Sequence, residues 1–171
     1  MRKLPMMLLL FSLQVLAQDA DPAKCTDLEE YGQLDFWLGE WNVYAGDELA
    51  GTNRIEKTLS GCAVLEHWKG STGGEGKSLF FVNGDGIWKQ VWVTEWATQP
   101  GGVKEKTWQA MDDPSQVRFQ GRIPLPDGGS YLDRTTLTKL PSGEVRQLIE
   151  FSRDEGTTWR AGFDATYRRP D

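Results

Sequence analysis

The fold is decided by one stretch of the sequence, Asp35-Phe36-Trp37-Leu38-Gly39-Glu40-Trp41-Asn42-Val43-Tyr44. Four of its ten residues are aromatic and one is glycine. Because alternate side chains of an extended chain share a face, its odd positions form one surface that we expect to be internal: Trp37, Gly39, Trp41 and Val43. The stretch therefore predicts the start of a β-barrel whose closed end is filled by two large indoles.

Beyond this stretch, strand-length runs rich in Val, Thr, Phe, Tyr and Trp alternate with clusters of Gly, Pro, Asn and Asp. Such punctuation is typical of strands and turns, and the short links favour sequential antiparallel hairpins over βαβ units. We predict an all-β fold, a single antiparallel barrel of about ten strands. The strands are expected at 40–45, 52–59, 62–69, 77–83, 87–96, 103–110, 115–122, 130–139, 144–152 and 158–168.

The two ends of the predicted barrel carry further patterns. Residues 26–38 are expected to plug one end, with a short helix over 26–33 that Thr26 caps and Gly32 ends. The last strand alternates clearly, which predicts one shared face for Trp159, Ala161, Phe163, Ala165 and Tyr167.

The N-terminus has the pattern of a secretory signal peptide. Arg2 and Lys3 precede a mostly apolar run from 4 to 16, and small residues stand before Gln18. The run is shorter than the roughly 20 residues that cross a bilayer, so no membrane span is expected. We therefore predict an exported protein, periplasmic or extracellular. The chain then divides into a signal peptide (1–17), a disordered leader (18–24) and a barrel domain (25–171).

Cysteine content and charge narrow the class further. In an oxidising compartment Cys25 and Cys62 predict one disulfide, which would contribute roughly 3–4 kcal/mol in the chain-entropy model. There is no CxxC and only one histidine, His67, so no metal and no cofactor is expected. The net charge of −6 repels nucleic-acid phosphate, and nucleic acid is not an expected partner.

One strand is especially rich in candidate ligand-binding side chains. Its even positions share a face: Trp88, Gln90, Trp92, Thr94 and Trp96. Indoles separated by amide and hydroxyl groups suit a cavity for a flat or apolar ligand. The alternative is that these indoles simply fill the barrel, because aromatic side chains supply much of the core area in small β proteins.

Polar residues within strand-like runs are candidates for the barrel interior, here called the lumen. Glu66, Arg134 and Gln147 are such groups, and Trp68 adds to the aromatic lining. A Glu66–Arg134 pair would either anchor a ligand anion through the arginine or be a satisfied core pair. His67 faces away from Glu66 and Trp68, so we expect a surface or structural histidine, with a base or haem ligand as the alternative.

The segment from Ser152 to Trp159 matches the Asp-box pattern S-x-D-x-G-x-T-W. It resembles the hairpin of sialidase-type propellers, but one copy in a chain of this length cannot form a propeller. We expect a structural turn between the last two strands. The sequence contains no HExxH, GxSxG, P-loop, dinucleotide fingerprint or EF-hand loop.

Gly39-Glu40-Trp41 at the start of the barrel and Arg168-Arg169 at its end resemble the closure of the calycin superfamily, which includes lipocalins, fatty-acid-binding proteins and avidins. The resemblance implies that an arginine, here Arg169, lies across Trp41. The chain is also similar to secreted proteins of unknown function of the DUF1579 type. The residues that carry this similarity are 35–41, 53–56, 61–62, 66–68, 88–92, 152–159 and 167–169.

Three functions remain open from the sequence. The leading one is an exported, lipocalin-like barrel that binds a small apolar or aromatic molecule, with no catalytic residue assigned. The second is an enzyme that uses the lumen, with Glu66 or His67 as general acid or base. The third is a structural or interaction protein with a closed core and functional loops at 71–76 and 97–102. These three functions are distinguished by whether the lumen is open and by which residues line it.

Overall fold

The computed structural model describes residues 23–170. Ten antiparallel strands form a closed barrel in which each strand pairs with its neighbours in sequence and β1 pairs with β10. The predicted signal peptide and most of the predicted leader lie outside the described residues. The strands are β1 (Gly39–Ala45), β2 (Glu48–Thr58), β3 (Ala63–Gly70), β4 (Glu75–Val82), β5 (Trp88–Thr94), β6 (Val103–Gln109), β7 (Gln116–Pro124), β8 (Ser130–Lys139), β9 (Val145–Ser152) and β10 (Arg160–Arg168).

The predicted all-β antiparallel barrel is thus confirmed. The largest difference from the predicted strands is at the start of β2, which begins at Glu48 rather than at residue 52. The β1–β2 hairpin is tighter than expected because Ala45 pairs directly with Glu48 across a turn in which Gly46 has a φ of 62°. A register shift between Val43 and Tyr44 accommodates this turn.

The N-terminal segment differs from the single helix predicted over 26–33. It forms three short 3₁₀ turns, Cys25–Asp27, Glu29–Gly32 and Asp35–Trp37, and none has a side-chain cap. The extended backbone of Leu28 interrupts any continuous helix. The expected packing against the barrel does occur, because Leu34 and Trp37 are fully buried in the core.

The predicted disulfide between Cys25 and Cys62 is confirmed, with a Cα–Cα distance of 5.0 Å. Cys62 immediately precedes β3 instead of lying within it. The bond therefore fixes the start of the N-terminal segment to the link between β2 and β3. A structural disulfide of this kind indicates a non-reducing environment.

The pattern predicted for the last strand holds for only part of it. Phe163 and Tyr167 face inward, whereas Ala161 pairs with the outward Glu150 and is exposed. The register of β10 shifts between Ala161 and Phe163, so the bulge at Gly162 reverses the alternation. Trp159 lies before the bulge, on the outer surface, and this corrects the face predicted for Trp159 and Ala161.

The Asp-box segment forms the turn between β9 and β10. The carboxylate of Asp154 accepts hydrogen bonds from the hydroxyl of Ser152 at 2.7 Å and from the backbone N–H of Thr158 at 2.9 Å. Gly156 has a φ of 88°, a conformation that favours glycine. The indole of Trp159 donates to the carbonyl of Gly156 at 3.0 Å, which closes the turn.

Candidate functional site in the barrel lumen

The lumen contains a cavity of about 250 Å³. Six strands position its walls, namely β3, β5, β6, β8, β9 and β10. Two tryptophans, Ile149 and Phe163 line it together with seven side chains that carry carboxyl, amide, hydroxyl or ammonium groups, so the cavity has a mixed surface. Its lining consists of Glu66, Trp68, Gln90, Trp92, Lys104, Lys106, Thr135, Gln147, Ile149, Phe163 and Tyr167.

Two indoles dominate the apolar part of the wall. Trp68 packs edge-on against Phe163, with 6.1 Å between the ring centroids. Each indole lies against a glycine of a neighbouring strand, Trp68 over Gly51 and Trp92 over Gly76, where a Cβ atom would collide with the ring. The two glycines therefore let the indoles lie flat across the sheet, and they shape the cavity as much as the indoles do.

A buried hydrogen-bond network surrounds the carboxyl group of Glu66, which is 4% exposed. Asn53 Nδ2 lies 2.8 Å from Glu66 Oε1, and Ser78 Oγ lies 2.6 Å from Oε2. The amide of Asn53 also donates to the hydroxyl of Tyr167 at 3.1 Å, and that hydroxyl donates to Gln147 at 3.0 Å. The network ties five strands together and holds Glu66 in one orientation.

Burial raises the pKa values of two acidic groups in this network, Glu66 and Tyr167. Burial raises the pKa of Glu66 above its usual range, although Ser78, Asn53 and the charge of Lys106 act in the opposite direction. Burial, together with the nearby Glu66, also raises the pKa of Tyr167 well above its usual range. Both shifts favour the neutral acid, so this side of the lumen resists carrying negative charge.

The lumen also holds a cluster of charged groups, carried by β6 and β8. The ammonium of Lys106 forms an ion pair with Asp133 and donates to the hydroxyl of Thr135 at 2.6 Å. Asp133 also pairs with Lys104, with 2.6 Å between Nζ and Oδ2. Lys106 is only 4% exposed. Two lysines thus share one buried carboxylate.

Burial and neighbouring charges act on both partners of this cluster. Burial and the charge of Lys104 lower the pKa of Lys106, whereas Asp133 and Glu66 raise it, and the net result is a pKa of about 8. Burial alone would raise the pKa of Asp133, but the charges of Lys106 and Lys104 hold it below its usual range. Asp133 is therefore the fixed negative charge of the cluster.

Four of the six predicted ligand-binding residues line the cavity, and two, Trp88 and Arg134, do not. Glu66, Trp68, Gln90 and Trp92 line the cavity. Trp88 is fully buried in the core, where its indole donates to the carbonyl of Glu30 at 2.9 Å. It holds the N-terminal segment against the barrel and does not line the cavity. Of the inner-face side chains of β5, Gln90 and Trp92 line the cavity.

The prediction for Arg134 is corrected by the structure. Arg134 lies on the outer face of β8, where it pairs with Glu150 at 2.7 Å and stacks over Trp159 with 3.8 Å from Cζ to the ring centroid. It forms no pair with Glu66 and does not line the cavity. Side chains alternate along β8, and the inward positions are those of Asp133 and Thr135.

The remaining candidates lie outside the lumen or at its end. His67 bonds to Glu56 on the outer surface, with 2.9 Å between Nε2 and Oε1. Arg169 lies across Trp41, with 3.5 Å from Cζ to the ring centroid, and donates to the carbonyls of Leu38 and Glu40. The lumen site is therefore separate from the closure of the barrel.

The lysine cluster was missed by the sequence reasoning, although a signal for it exists. Lys104, Lys106 and Trp108 share one face of β6, and Lys106 pairs across the sheet with Gln90, which was already assigned to the lumen. A register prediction between β5 and β6 would have placed the lysines inside. Charged residues are rarely buried, so residue type alone predicts that Lys104 and Lys106 face the solvent.

Fold and site together define the class as a closed up-and-down β-barrel with a small polar and aromatic lumen. Neither a protein-family model nor a curated protein matches the sequence. Within residues 23–170, no helix is long and apolar enough to cross a membrane. The same residues contain no group of three or more His, Cys, Asp or Glu side chains arranged to hold a metal ion.

Proposed function

We propose that this protein is an exported, lipocalin-like barrel that binds a small apolar or aromatic molecule in its lumen. The observation that carries the proposal is the cavity itself, whose lining combines two indoles and Phe163 with buried polar groups. Apolar walls with a few fixed polar groups are the usual composition of small-molecule sites.

The size of the cavity limits the ligand. Ligand pockets commonly measure about 300–1,000 Å³, and this one lies just below that range. A compact molecule with one or two rings fits better than a long acyl chain. The polar groups that face the cavity, Gln90 and Gln147 among them, would orient such a ring system by hydrogen bonding.

Export is supported by two independent features. The disulfide between Cys25 and Cys62 fits an oxidising compartment, and the first 17 residues have the pattern of a signal peptide. Membership in the secreted DUF1579-type group is part of the same proposal. Mass spectrometry of the exported protein should show a mature chain that begins at Gln18, and a chain that still begins at Met1 would contradict export by cleavage.

Isothermal titration calorimetry with neutral ring compounds tests binding directly. Phenylacetamide and indole-3-acetamide are suitable probes because they are compact and uncharged. Trp92→Ala removes part of the cavity wall and should weaken binding about five- to thirtyfold, since burying an aromatic ring on an indole contributes on the order of 1–2 kcal/mol. Trp96→Ala is the matched control, because Trp96 is 56% exposed and lies outside the cavity.

Two results would contradict the proposal. One is the absence of heat with every neutral and charged ring compound at millimolar concentration. The other is equal weakening by Trp92→Ala and Trp96→Ala, which would place the binding site on the surface instead of in the lumen. Circular dichroism of both variants controls for unfolding.

A second candidate function is favoured by the raised pKa of Glu66 within a cavity. A buried carboxyl with this property is a candidate general acid or base. His67 takes no part in this alternative, because it lies outside the lumen. Hydrogen–deuterium exchange at the α-carbon of phenylacetone, followed by NMR, tests it. The enzyme hypothesis expects wild-type protein to accelerate exchange and Glu66→Gln to abolish the acceleration, and equal rates would rule out this proton-transfer role.

A further inference from the structure

The charged cluster of the lumen has an unbalanced charge. Lys104 and Lys106 bring two positive charges to the carboxylate of Asp133, which brings one negative charge. The remaining acid that faces the cavity, Glu66, has its negative form disfavoured by burial. Lys106 is too buried for solvent to balance the charge. The cavity therefore lies beside an excess positive charge.

The positively charged groups and the aromatic rings of the lumen face the same cavity. Lys104, Lys106 and Thr135 line the same cavity as Trp68, Trp92 and Phe163. A ligand that fills the space thus contacts both ammonium groups and aromatic rings, and Trp92 is the cross-strand partner of Lys104.

We propose that the physiological ligand is a compact aromatic monoanion, such as an arylalkanoic acid, whose carboxylate binds between Lys104 and Lys106 while its ring lies against Trp68 and Trp92. This inference rests on the lumen binding proposed above and adds the charge of the ligand. A carboxylate there gains charge-assisted hydrogen bonds and completes a cluster of two cations and two anions. The small cavity volume excludes long acyl chains and selects for compact acids.

The affinity for such an anion depends on pH in a defined direction. The groups that face the Lys106 ammonium are Asp133, Lys104 and Thr135, and the charge of Glu66 also acts on it. Tyr167 belongs to the network around Glu66, through Asn53. Since the pKa of Lys106 in the free protein is lowered to about 8, its charge is lost as pH rises above that value. The carboxylate affinity should then fall by up to about tenfold per pH unit.

Matched acids and amides test the inference by calorimetry. Phenylacetate is compared with phenylacetamide, and indole-3-acetate with indole-3-acetamide, so that shape is constant and only charge differs. At pH 7 the acid of each pair should bind about tenfold tighter or better. Lys106→Met should lower the ratio of acid affinity to amide affinity about tenfold, to near one. Lys89→Met is the control, because Lys89 lies on the outer face of β5 and bonds to Thr107.

The outcomes separate this inference from the proposed function. Equal binding of acid and amide would overturn the anion assignment and leave lumen binding intact, whereas no binding of either would overturn both. If Lys106→Met fails to fold, Lys104→Met and the pH dependence of binding to the wild-type protein test the anion assignment instead. Acid affinity that is constant from pH 7 to pH 9.5 would contradict a role for Lys106. Glu66→Gln should retain the loss above pH 8, which separates the lysine from Glu66.

Discussion

At the closure of the barrel, the guanidinium of Arg169 fills the space that a side chain on Gly39 would need. A Cβ atom on Gly39 would collide with this guanidinium. The glycine has a φ of 116°, and its lack of a side chain lets the arginine reach the carbonyl of Leu38 at 3.0 Å. From there the guanidinium lies flat over Trp41. Arg169, which follows β10, is thus bound to the start of β1, and this contact requires a residue without a side chain at position 39.

Replacing Arg169 by alanine should lower the free energy of unfolding by about 1–2 kcal/mol, because it removes a cation–π contact and two hydrogen bonds to backbone carbonyls. Arg168→Ala is the matched control. Arg168 stacks more loosely on Tyr44, at 4.8 Å, and forms an exposed pair with Glu144, so its loss should cost less than about 1 kcal/mol. Urea unfolding measures both, and equal effects would contradict the closure role.

Gly39→Ala should destabilise the protein for two separable reasons, strained backbone at positive φ and the collision with Arg169. The combined cost should be on the order of 2–4 kcal/mol. In the Arg169→Ala background the collision disappears but the backbone strain remains. A double-mutant cycle by urea unfolding should therefore show a coupling of about 1 kcal/mol or more. Strict additivity would show that the two residues do not compete for space.

The fold was predictable from the sequence because its signals are local. Turn residues and strand-length apolar runs placed all ten strands, and the bounds of β8 (Ser130–Lys139) match the prediction. The errors occur where geometry departs from simple alternation. The bulge at Gly162 reverses the face of Trp159, and extended backbone at Leu28 divides the expected helix. A bulge depends on pairing with the neighbouring strand, which one strand's pattern does not contain.

The site was predictable only in part, for a related reason. Glu66, Trp68, Gln90 and Trp92 were found because aromatic and polar residues alternate within their strands. Arg134 was assigned to the wrong face, since the parity of β8 relative to the lumen depends on register. Lys106 was missed because burial of a lysine is unfavourable unless partners on another strand, here Asp133, support it.

Glu66→Gln should change stability in a pH-dependent way. The folded-state pKa of Glu66 is raised by burial, so the wild-type protein is favoured while the carboxyl is protonated and loses stability as pH rises from the unfolded value, about 4.3, through the folded value. Glutamine stays neutral throughout. Stability of Glu66→Gln relative to wild type should therefore increase from pH 4 to pH 8 in urea unfolding.

The control for this experiment is Glu105→Gln, which makes the same chemical change at an exposed position on the outer face of β6. A Glu66→Gln difference that decreases with pH would mean that the ionised carboxylate is favoured in the folded state. In that case the hydrogen bonds from Asn53 and Ser78 would outweigh the effect of burial.

Asp154→Ala should destabilise the β9–β10 turn, because its carboxylate organises both sides of the turn. It accepts bonds from Ser152 and from the backbone and hydroxyl of Thr158, the last at 2.6 Å, and these bonds lower its pKa to about 2. The melting temperature should fall by about 2–4 °C near neutral pH. Asp127→Ala is the control, since Asp127 accepts one backbone bond, from Gly129, in the β7–β8 turn.

The effect of Asp154→Ala should also depend on pH. A carboxylate whose folded-state pKa is depressed stabilises the protein above its unfolded value, about 3.9, and this contribution is lost as pH falls through about 2. The melting temperatures of wild type and Asp154→Ala should therefore converge between pH 5 and pH 2, as measured by circular dichroism. A difference that is the same at both pH values would mean that the charge of Asp154 does not hold the turn, and that Gly156 and Trp159 suffice to form it.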